Sequence, residues 1–87
     1  MWLKFKDFDD IPMALNTDNV IYFYVGKFTS YDYPEEKPVE VVKWNVYACT
    51  TYGRDICIAT LPTQEKAIDL MDTVSEPISY RDGVFKI

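Results

Sequence analysis

The chain has 87 residues, 48% of them hydrophobic and 16% aromatic, which suits a single domain (1–87) with one thin core and excludes a disordered chain. Its net charge of −5 divides into −3 over residues 1–43 and −2 over residues 44–87, with no basic stripe; direct binding to nucleic acid or to an anionic membrane is disfavoured, because both need clustered Lys and Arg. The chain has no His, two Cys and three scattered glycines, so it lacks the commonest general base, the commonest zinc ligand and any phosphate-cradling glycine loop, which argues against an enzyme and against a bound cofactor or metal.

Trp2, Leu3 and Phe5 suggest a short first strand. Asp7 to Pro12 reads as a turn, since Asp9 and Asp10 bond locally to backbone and Pro12 lacks an amide donor. The Asp7-Phe8-Asp9-Asp10 carboxylates have neither the spacing nor the closing Glu of a calcium loop. Met13-Ala14-Leu15 forms a brief strand before a turn at Asn16-Thr17-Asp18-Asn19. Val20 to Val25, rich in β-branched and aromatic residues, is the clearest strand in the chain. Thr29 to Pro38 follows as a connection too long for a tight hairpin.

Val39 to Thr51 has a period of two, which assigns Val42, Trp44, Val46 and Ala48 to the core face. Tyr52-Gly53-Arg54 turns the chain, and Asp55 to Thr60 returns. Matching core faces predicts Thr50 opposite Ile56 and Ala48 opposite Ile58, with Cys49 facing Cys57 on the other side. In a reducing compartment two thiols are expected there rather than a disulfide.

Pro62 and the N-cap candidate Thr63 open a helix, in which Ala67, Ile68, Leu70, Met71 and Val74 make one apolar stripe. Pro77 stops or kinks it. Residues 76–83 then admit two readings, a short helical turn or a hairpin through Asp82-Gly83. Val84 to Ile87 ends the chain as a strand.

The fold class expected is α+β: an antiparallel, twisted sheet of about five strands with one amphipathic helix near the C-terminus. No stretch approaches the ~18 apolar residues of a membrane span, and the first residues lack a secretory pattern. A cytoplasmic location follows by default.

The segment with most functional promise is Tyr31-Asp32-Tyr33-Pro34-Glu35-Glu36. Two tyrosines among three acids, on a connection, resemble a recognition patch, because Tyr offers contact area at small entropic cost. The alternative is that both rings fold back onto the sheet while the acids solvate the loop. Tyr31, Asp32, Tyr33, Glu35 and Glu36 are therefore the candidate partner-binding residues.

Leu15-Asn16-Thr17-Asp18-Asn19-Val20-Ile21, the strand pair that follows, and Ile58-Ala59-Thr60-Leu61-Pro62-Thr63-Gln64-Glu65-Lys66-Ala67 together resemble small uncharacterised proteins of Gram-positive bacteria and their phages. The resemblance implies a sheet with a C-terminal helix, pleckstrin-homology-like or another small half-open barrel, and no activity.

The leading expectation is a non-enzymatic protein-binding accessory module, phage- or mobile-element-encoded. One alternative is an acidic inhibitor of a nucleic-acid enzyme, a nucleic-acid mimic or anti-defence protein. Another is a small-molecule site in the sheet–helix crevice. An exposed edge strand could also pair two copies as a homodimer.

Overall fold

The computed structural model describes residues 1–75 and 83–87. In chain order the elements are β1 (Trp2–Lys6), β2 (Pro12–Asn16), β3 (Val20–Asp32), β4 (Val39–Thr50), β5 (Asp55–Leu61), α1 (Gln64–Ser75) and β6 (Val84–Lys86). The fold is α+β, as expected, but the described residues hold six strands in two open sheets and no closed barrel.

The smaller sheet has the order β2-β1-β6 and the larger one β3-β4-β5. β1 and β2 form an antiparallel hairpin, with Leu3 opposite Leu15 and Phe5 opposite Met13. Its loop is held by the Asp7 carboxylate, which accepts from the Asp9 and Ile11 amides, each at 2.9 Å. β6 runs parallel to β1, pairing Trp2 with Val84 and Lys4 with Lys86. The all-antiparallel expectation is corrected there: parallel pairing joins the two ends of the chain, and no local signal announces so distant a partner.

β3 continues well past Val25, to Asp32, and pairs with β4 along its whole length. The supposed connection from Thr29 therefore begins as strand. A bulge at Ile21 changes the phase of β3, so that Val20, Phe23 and Val25 all pack on the core. The β4–β5 register also differs from expectation. Ala48 lies opposite Ile56, Cys49 opposite Asp55 and Tyr47 opposite Cys57. Gly53, at φ 77°, closes a short loop in which the Thr50 amide bonds to the Arg54 carbonyl at 2.9 Å. That tight loop moves the pairing by two residues, which preserves the faces while exchanging the partners. A second bulge between Val46 and Tyr47 then accommodates the fully buried Ile58.

Thr63 caps α1: its hydroxyl accepts from the Lys66 amide at 3.2 Å. Ala67 and Val74 are buried, and Leu70 and Met71 pack against the same cluster, whereas Ile68 is 38% exposed and lies outside it. This stripe meets Leu3 and Phe5 from β1, Val46 and Ala48 from β4, and Ile58 from β5. One core thus lies between the two sheets and the helix. Both readings of the segment beyond α1 rest on residues 76–82, outside the described residues.

Candidate functional site

The chain is drawn out to 49 × 25 × 23 Å. Its long dimension accommodates the β3–β4 ribbon, since thirteen residues of strand span roughly 40 Å. At the base of the ribbon Val25 and Val46 pair over the core; farther out Tyr31 pairs with Glu40 and Asp32 with Val39. Every residue from 31 to 40 is exposed.

This arm carries all five candidate residues. Tyr31 is 59% exposed and Tyr33 70%, so neither ring folds back onto the sheet. Asp32, Glu35, Glu36 and Glu40 put four carboxylates in the stretch, against the single cation Lys37. Tyr31 and Asp32 are held in β3, Tyr33 leads into the reversal, and Glu35 and Glu36 form its centre.

The reversal has an unusual backbone. Glu35 and Glu36 have φ of 56° and 64°, and the Lys37 amide bonds back to the Pro34 carbonyl at 3.3 Å. Positive φ at both central residues is the pattern of a type I′ turn, whose twist matches that of a β-ribbon and whose usual occupants are Asn and Gly. Pro34 fixes the entry and Pro38 follows the exit. Both glutamates are exposed at the tip.

A second cluster lies on the outer face of the larger sheet. Tyr22, Tyr24 and Gly26 on β3 face Cys49, Tyr47 and Asn45 on β4. The rings of Tyr24 and Tyr47 stack at 4.9 Å between centroids, and Tyr22 tilts against Tyr24 at 5.9 Å. Gly26 makes room for this: a Cβ there would meet the Tyr47 ring at 2.9 Å. The Tyr24 hydroxyl donates to the Asp55 carboxylate at 2.8 Å. That bond to a carboxylate, together with burial, pushes the Tyr24 phenol up to about 12. A hydrogen bond with Cys49 raises Tyr22 in the same direction. Asn45, though buried, is satisfied, donating to the Tyr47 hydroxyl at 2.9 Å and accepting from Thr60 at 2.7 Å. Burial raises the Cys57 thiol above its ordinary value, which keeps it protonated and a weak nucleophile. Each polar group here is spent on another member of the cluster, so the face works as a cross-strand clamp rather than as an open site.

The alternation along β4 located this outer face in the sequence, but not its cross-strand partners, because the bulge at Ile21 decides which tyrosines of β3 share it. Cys49 and Cys57 are free thiols and are not register partners, which corrects the facing pair expected from the sequence. Two clefts lie away from the sheet–helix crevice. One is lined by Lys6, Asp7, Phe8, Cys57, Ala59 and Thr60; the other lies by the smaller sheet among Lys4, Lys6 and Lys86. Among the described residues no group of three His, Cys, Asp or Glu side chains is placed to hold a metal ion, and no helix is long and apolar enough to cross a membrane.

Comparison with protein-family models, with curated proteins and with solved structures finds no match.

Proposed function

We propose that this protein is a non-enzymatic, protein-binding accessory module that engages its partner through the tip of the β3–β4 arm. The observation that carries the reading is the uninterrupted exposure of residues 31–40, with two tyrosine rings and four carboxylates on a ribbon projecting from the core. Tyr31 is held in β3 and Tyr33 directly follows it, so the backbone that carries both rings is ordered before binding and a partner gains contact area at little further backbone entropic cost. The surrounding carboxylates select a partner with a basic patch and speed the encounter. The strain-prone residues sit at the reversal rather than in the core, which is where binding segments concentrate.

The test is affinity capture with the intact domain beside the Tyr31→Ala/Tyr33→Ala variant. Both rings are exposed, so the variant keeps the melting temperature of the parent within a degree or so. It should lose the captured partner, with affinity reduced about tenfold or more, the scale of hot-spot tyrosines. Identical capture by the two proteins overturns the assignment of the arm.

A further inference from the structure

The smaller sheet gathers positive charge that the rest of the molecule does not explain. Lys4 on β1 and Lys86 on β6 are direct register partners in a parallel pair, so their stems leave the same face of neighbouring strands about 4.8 Å apart. Lys6 lies two residues along β1 and shares that face. The other cross-strand neighbours are Ala14 beside Lys4 and Pro12 beside Lys6, neither of which carries a charge. Among the described residues the only ion pair is Lys6 with Asp10 at 3.6 Å, both well exposed; neither Lys4 nor Lys86 has a carboxylate partner there. Like charges placed directly opposite each other in a sheet are destabilising. The cluster is therefore a cost to the fold when it stands alone, in a chain whose net charge is −5.

The same three lysines line a cleft of about 490 Å³ together with Pro12 and Ala14, their cross-strand neighbours on the same face. That volume lies in the range of small-molecule sites, which combine apolar walls with a few convergent polar groups. Three lysines on one face beside the uncharged Pro12 and Ala14 suit a ligand with two or three negative charges.

We infer that this cleft binds a phosphorylated small molecule of the diphosphate class, its phosphates between Lys4, Lys6 and Lys86 and its remaining portion against Pro12 and Ala14. The site is separate from the arm and does not depend on the protein-binding reading.

The experiment is a titration of the intact domain with inorganic pyrophosphate, followed by backbone amide shifts and by calorimetry, with inorganic phosphate and anionic phospholipid vesicles as comparisons. Saturable binding of pyrophosphate, stronger than that of phosphate, with shifts confined to β1, β2 and β6, is expected. Lys4→Gln/Lys86→Gln should weaken it about tenfold or more, because each lysine contributes a charge-assisted hydrogen bond. The same variant should melt at a higher temperature than the parent without ligand, since the opposed charges are gone, and should lose the rise in melting temperature that pyrophosphate gives the parent. Lys43→Gln, on the other sheet, should change neither. No saturable binding, equal binding by the Lys4→Gln/Lys86→Gln variant, or binding to vesicles alone overturns the inference.

Discussion

Glu35 and Glu36 occupy consecutive left-handed conformations at the end of the arm. L-residues other than Gly, Asn and Asp pay for that conformation, and the type I′ geometry demands it twice. Replacing the pair by Asn-Gly should stabilise the domain by about 1–2 kcal/mol, seen as a higher midpoint in urea with an unchanged slope. A lower midpoint would show that the two glutamates are not strained. The same variant removes two charges from the proposed contact surface, so stability and partner affinity should move in opposite directions. At this scale the sequence was a partial guide. Tyr31, Tyr33 and the acids could be picked out by type and spacing, but nothing in Pro-Glu-Glu-Lys signals a turn normally written Asn-Gly. Gly26 likewise gives no hint of its role until the Tyr47 ring is seen lying over it.

Strands are where local pattern carried furthest and where single-residue insertions limited it. The alternation from Trp44 to Ala48 separates core from outer face, whereas Val42, paired with Thr29 farther along the ribbon, lies outside the core cluster, because only the inner part of β4 meets the helix and smaller sheet. The capped, striped helix was legible for the same reason, with Ile68 the member of the stripe left outside. Partners were less legible: a bulge shifts a strand by one residue, and a three-residue loop closed by Gly53 resets the hairpin register. The Tyr24–Asp55 bond belongs to this scale, since it ties β3 to β5 across the intervening β4. Folding raises the Tyr24 phenol from its ordinary value of 10.0 to about 12. The folded state therefore holds the proton more tightly than the unfolded chain, and the bond's contribution is complete below pH 10. It is lost as the pH climbs to about 12. Denaturation midpoints should fall across that window, and Asp55→Asn should flatten the fall attributable to Tyr24. An equally steep fall in the variant would assign the effect to other groups.

Across the whole molecule, charge is sorted in a way the even spread along the chain conceals. The arm tip is acidic, whereas three of the nine basic residues meet on the smaller sheet. A molecule with mixed poles is a poor mimic of a nucleic-acid backbone, whose charge is of one sign and regularly spaced. Capture through the arm should weaken steeply as salt rises from about 0.05 to 0.5 M, because exposed charges are screened within a Debye length of about 10 Å at 0.1 M. Salt-independent capture would place the affinity in the tyrosine rings and leave the carboxylates without a part in it. This polarity was hidden from the sequence because Lys4 and Lys86 become neighbours only through the parallel pairing of β1 with β6.

That pairing also governs the order in which the chain can become itself during synthesis. β1 is made before the other five described strands, whereas β6, which covers its second edge, is made after them, and Phe85 brings its ring to the core only then. The β3–β4–β5 meander and α1 can assemble as they emerge, their partners being close in the chain. The smaller sheet has to wait. A nascent chain halted before residue 84 leaves the edge of Trp2, Leu3 and Lys4 without its β6 partner, and the charge of Lys4 guards that edge against pairing with other chains.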